Sequence, residues 1–180
     1  MTLTLIIVLV VLAVVLWGFY ISWRASRLDR LHNRVEAART ALDLAMVRRS
    51  SASYELASSG LLDPATSLLL ADAVRRAKDA GPAERDLAES DLTRALRASF
   101  GQPGFRKEIE ASDGAAELVG EVDASAQQVF IARKFYNDVA ARTIDARRRP
   151  LARVFRLEGS AKQPEFFEMD DALPDGDGSG

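Results

Sequence analysis

From Leu3 to Trp23 the chain reads LTLIIVLVVLAVVLWGFYISW, with no charged side chain before Arg24. A helix of that length, rising 1.5 Å per residue, covers the roughly 30 Å hydrocarbon core of a bilayer. A cleaved signal peptide is disfavoured. No Lys or Arg precedes the run, the run is longer than an ordinary signal core, and no A-x-A site follows it. Trp17, Tyr20 and Trp23 stand at its carboxyl end, where amphipathic rings favour the lipid–water boundary. Residues 1–23 are therefore expected to be an uncleaved transmembrane anchor, and the lipid bilayer is the first expected partner.

Arg24, Arg27, Arg30 and Arg34 follow the anchor, whereas only the terminal amine precedes it. Short Arg-rich flanks stay cytoplasmic, so a single-pass protein with its amino terminus outside and its domain in the cytoplasm is predicted. Basic residues are mostly Arg, which hints at a GC-rich bacterial genome and hence at a bacterial inner membrane.

Beyond the anchor, the hydrophobic period is helical. Leu28, Leu31, Val35, Ala38, Leu42, Ala45, Ala52 and Leu56 alternate spacings of three and four, and neither Gly nor Pro lies between Gly18 and Gly60. The anchor helix is thus predicted to continue as the first helix of the domain. Arg49 falls on this seam, where it must snorkel out or find a carboxylate. Asp63 and Pro64 supply a cap and a first helical position for a second helix, which Leu70, Val74 and Ala77 line up to Gly81. Pro82 opens a third, with the seam Ala88, Leu92, Ala95 and Ser99, and GQPG at 101–104 is a turn. A long last helix is predicted from Asp113 to Arg149, stopped by Pro150, with the seam Leu118, Val122, Ser125, Val129, Ala132, Tyr136, Val139 and Thr143. Residues 150–169 form a short amphipathic and aromatic-acidic segment. Residues 170–180, DALPDGDGSG after Asp170, are expected to be a disordered acidic tail.

The residue inventory excludes several chemistries. There is no cysteine, so disulfides and thiolate metal sites are ruled out, and the single histidine, His32, leaves little for a zinc site or a histidine-based triad. His32 lies on a helix just past the span, as a phospho-accepting histidine would. Asn33 follows it where such kinases place an acid, and no nucleotide-binding domain accompanies it, so an interfacial or solvated histidine is the better reading. The acids are spread at i, i+3 and i+4 from arginines, the pattern of surface pairing rather than of a catalytic dyad. GQPG lacks both the spacing and the Lys of a phosphate loop. No catalytic, cofactor-binding or metal-binding residue is predicted, and no enzyme activity.

Charge is unevenly distributed. Glu165, Glu168, Asp170, Asp171, Asp175 and Asp177 close the chain; without those six, 20 acids face 24 bases, leaving residues 1–164 at +4. Arg142, Arg147, Arg148, Arg149, Arg153 and Arg156 form the strongest cluster. Nucleic-acid binding would need a fold signature that is absent. In an antiparallel path the last helix returns toward the membrane, which would set Arg147, Arg148, Arg149, Arg153 and Arg156 beside Arg24 and Arg27, at anionic lipid headgroups.

Four stretches in order carry a family resemblance: the aliphatic anchor closed by aromatics, LHNRVEAARTALDLAMVRR, ARKFYNDVAARTIDARRRP, and PEFFEMD. Together they resemble the LemA family of bacterial membrane proteins, of which this chain looks like a divergent member. Asn33, Arg133, Tyr136 and Asn137 stand at the family-like positions. The resemblance implies a helical bundle behind an anchor and no established activity, and the family's genomic neighbours hint at a membrane metalloprotease as partner.

The expected architecture is all-α: a transmembrane helix running on into an antiparallel four-helix bundle, residues 24–149, with two long helices of about 54 Å and two short ones. Arg48 or Arg49 is expected to pair with Glu121 or Asp123, which counting along the long helices puts at the same level. The expected function is that of a membrane-anchored, non-enzymatic scaffold or adaptor that meets a membrane protein partner or another copy of itself. A regulatory or chaperone-like subunit of a membrane enzyme is the alternative.

Overall fold

The computed structural model describes residues 2–102, 105, 112, 114–148 and 163–173; within α1 the side chains of residues 21 and 23–29 lie outside the description. Four helices and no strands occur among the described residues: α1, Thr2–Ser58; α2, Pro64–Asp79; α3, Arg85–Phe100; and α4, Ala115–Arg148. The expectation of one unbroken first helix is met. Within α1, Thr2–Tyr20 is long and apolar enough to cross a membrane, with mean hydropathy 2.8 and none of it buried.

The helix boundaries follow local chemistry. Gly60 adopts φ 79° just beyond α1, a left-handed position that costs glycine nothing and ends the helix. The carboxylate of Asp63 accepts hydrogen bonds from Ala65 N (3.0 Å) and Thr66 N (3.1 Å), and the Thr66 side chain, followed by these backbone bonds, holds its pKa below the usual carboxylate range. Pro64 then occupies the first turn. α3 begins at Arg85, three residues later than Pro82 suggests, because Gly81 to Glu84 close a turn first, with Glu84 N donating to Gly81 O.

By contact the chain divides into two units, Met1–Ala37 with Asp138–Glu165, and Ala38–Asn137 with Phe166–Gly180. In the first, α4 buries Val139, Ala140, Thr143 and Ile144 along one stripe, and His32 Nε2 lies 3.0 Å from Glu36 Oε1 one turn on. The second holds the main core. Ala52 and Leu56 of α1, Leu70, Val74 and Ala77 of α2, Leu92, Ala95 and Leu96 of α3, and Val119 and Val122 of α4 pack as one cluster. These are mostly the seam residues read from the sequence, and α2 and α3 pack directly on each other.

Arg49 is 2% exposed and belongs to this second unit. Its Nη2 lies 2.6 Å from Glu89 Oε2 and donates also to Glu89 O, while Nη1 donates to Thr93 Oγ1 at 2.9 Å. The partner is therefore Glu89 on α3, and the expected pairing of Arg49 with Glu121 or Asp123 is corrected. Counting residues along two long helices fixes a level but not a direction around the axis, and from α1 the Arg49 side chain meets α3. Arg48 and Glu121 are both exposed.

Burial pushes the Glu89 carboxyl above the usual carboxylate range, against the pull of Arg49 and of Arg85. A raised folded pKa contributes stability that is complete below the unfolded value and lost as pH rises through the folded one. Relative to Glu89→Gln, the wild type should thus lose stability as pH rises above the ordinary glutamate value of about 4, read from thermal melts. Glu89→Ala, which strands a buried guanidinium, should cost about 3–5 kcal/mol in denaturant unfolding.

Candidate functional site

One stretch of chain is held on the helices without being a helix. Residues 163–173 have no regular secondary structure, and from Phe166 their burial alternates. Phe167 (2% exposed) and Met169 (8%) are buried, Asp171 is partly so, and Phe166, Glu168 and Asp170 face outward. Such a period of two is that of an extended chain with one face against a surface.

The surface is built by three helices. From α4, Asn137 reads the backbone of Phe167 in both directions: Phe167 N donates to Asn137 Oδ1 at 2.9 Å, and Asn137 Nδ2 donates to Phe167 O at 3.1 Å. One turn earlier, Arg133 Nε lies 2.6 Å from Asp171 Oδ2, with both side chains largely buried. From α3, Asp86 Oδ2 accepts from Glu168 N at 2.9 Å, Ser90 Oγ accepts from Asp170 N at 3.0 Å, and Arg97 lies 3.8 Å from Asp170. From α1, the Arg39 guanidinium sits over both the Phe167 ring (5.0 Å) and the Tyr136 ring (5.6 Å). Asp43 steadies Arg39 at 3.4 Å and Arg85 at 3.3 Å.

The geometry matches because two periods coincide. Asp86 and Ser90 are one helical turn apart, about 6 Å, and the two amides they capture are two residues of extended chain apart, about 6.6 Å. The segment consequently runs parallel to α3 and antiparallel to α4. The seated stretch has the form aromatic–x–apolar–x–acid, with the Phe167 ring under Arg39, Met169 buried and Asp171 against Arg133.

Several sequence expectations meet this groove. Arg133 and Asn137, marked by resemblance, and Tyr136, marked by resemblance and by its place on the seam, form its α4 wall, while Asn33 is exposed and lies in the other unit. Asp170 and Asp171, expected to open the disordered acidic tail, are docked, and residues 174–180 lie outside the described residues. Arg147 is half-buried and Arg148 exposed at the end of α4. The side chains of Arg24 and Arg27, and all of Arg149, Arg153 and Arg156, lie outside the described residues. Among the described residues no group of three His, Asp or Glu could hold a metal ion. Two things were missed that the sequence carries. Glu89 stands at helical spacing with Leu92 and Leu96, an acid on an apolar face, and Phe167-x-Met169 is an apolar alternation.

No family model matches the chain, and neither a curated protein nor a solved structure matches it.

A charge exchange tests the groove. Arg133→Asp and Asp171→Arg should each loosen the segment, seen as faster proteolysis after Phe166, and the double variant should restore protection. If the single variants are as resistant as the wild type, the ion pair does not hold the segment.

Proposed function

We propose that this protein is a membrane-anchored, non-enzymatic helical scaffold or adaptor of the LemA type, whose helices form an antiparallel four-helix bundle with two long and two short members. The observation that carries this reading is the continuity of α1. One helix, Thr2–Ser58, contains a fully exposed span of bilayer length and then, from Ala38 to Leu56, the seam of a packed core. A folded domain that is continuous with its anchor is suited to presenting a surface at a fixed place rather than to releasing a product.

The same reading accounts for the surface. Leu44 and Val47 on α1 are each more than half exposed, as are Ile131 and Phe135 on α4. Isolated exposed apolar residues are ordinary, but pairs at helical spacing favour a protein partner or self-association. The polar clusters of the domain are engaged in holding helices and the 166–173 segment, which favours a structural role over catalysis. Anionic headgroups are a further partner for Arg147 and Arg148, each contributing on the order of 1 kcal/mol near a charged leaflet.

In this proposal the domain is cytoplasmic, on the inner membrane of a bacterial cell. A reporter active only outside the cytoplasm, fused after Gly180, should stay silent; strong activity would reverse the orientation. A photocrosslinker at Val47 or Ile131, in native membranes, should capture a discrete protein that the same probe at Glu121 does not. A membrane enzyme as the captured species would favour the regulatory-subunit reading, and no capture above the Glu121 control would sink both.

A further inference from the structure

The groove is filled by residues 166–173 of the same chain. Its specificity is written in both partners: three backbone amides and one carbonyl captured by Asn137, Asp86 and Ser90, one ring seated under Arg39, and two carboxylates facing Arg133 and Arg97. None of these contacts depends on the segment belonging to the same chain. Residues 149–165 can reach at most about 60 Å when extended, whereas α4 runs only about 17 Å from Asn137 to Arg148.

We propose that the groove accepts its ligand in trans: residues 166–173 of one copy seat in the groove of a second copy in the same membrane, so that copies are linked by exchanged segments. This rests on the anchored-scaffold reading given above. The anchor is what makes exchange favourable, because copies inserted with the same orientation present groove and segment at the same height. Each then meets its neighbours at an effective concentration far above that in bulk. Exchange of an identical element between copies forms no contact that the single chain lacks, so its free-energy cost is low. The occupant is a second copy because its segment meets every requirement of the groove: the ring at 167, the apolar side chain at 169 and the carboxylates at 170 and 171.

The chain has no cysteine, so two engineered ones report without background. Asp86→Cys and Glu168→Cys flank a contact of 2.9 Å between Glu168 N and Asp86 Oδ2. Full-length protein in membranes is treated with a short bismaleimide. With both substitutions on one chain, the intramolecular product reports docking in cis. With one on each of two co-expressed chains, a covalent dimer at twice the 19.7 kDa monomer reports exchange. It should form at least about tenfold faster than the collision control Leu68→Cys with Glu168→Cys, as a millimolar effective concentration requires. Phe167→Ala should abolish both products. Ser90→Cys with Asp170→Cys repeats the measurement if the first pair does not fold.

A cis product without a trans product above the collision control overturns exchange and leaves the groove standing. A trans product that survives Phe167→Ala is collision and overturns it as well. Loss of both products overturns the groove itself. Carbonate extraction of the same membranes reports the anchoring separately, so release of the protein would count against the scaffold reading rather than against the exchange.

Discussion

Arg49 is the residue on which the packing of α1 against α3 depends. A guanidinium taken out of water costs several kcal/mol unless its charge and its donors are met, so its position dictates what must lie across from it. Glu89 supplies the charge and a backbone acceptor, Thr93 supplies a hydroxyl, and the two lie one turn apart on α3. An apolar pair of equal volume could hold the same two helices about as strongly. It would not select the register, because apolar faces slide by a turn at little cost, whereas a slip of one turn would part the Arg49 guanidinium from Glu89 and Thr93.

That register is what the groove requires. Asp43, one turn and a half before Arg49, faces Arg85, which is one turn before Glu89, and Asp43 also holds Arg39 over the rings of Phe167 and Tyr136. A slip of α1 by one turn would break the buried pair and withdraw the cation from the aromatic pocket together. The segment is thereby coupled to the core through charges as well as through the burial of Phe167 and Met169. Weakening at either end should be felt at the other more than in two independent sites.

The sequence made the helices legible because their burial is one-sided and their ends are chemically marked, by Asp63-Pro64 and Gly60 above all. Arg49 was legible as a problem, since a charge on a seam must be solved somewhere. Its solution was not. Distances along helices follow from a rise per residue, but the direction of a side chain around the axis depends on which neighbour it meets. Adding the period of α3 to the argument would have singled out Glu89, which shares a face with Leu92 and Leu96. The docked end was harder still. Phe167 and Met169 give only two apolar points of an extended period, too few to separate from a coil, and the amides that hold the segment carry no signature in the residues that own them.

The residues marked by family likeness take on a physical meaning once the groove is described. Arg133, Tyr136 and Asn137 lie at i, i+3 and i+4, one face of α4, and each turns to the docked end: Arg133 to Asp171, Tyr136 to the cation that Phe167 shares, Asn137 to the Phe167 backbone. Two stretches of sequence that look like separate motifs, ARKFYN and PEFFEMD, are the two sides of one contact. A pattern of this kind specifies attachment. An arginine against a carboxylate, an amide against a peptide group and a ring against a guanidinium are all satisfied by binding, and none leaves an activated group facing solvent. The composition of this contact is that of a site that holds a chain in place.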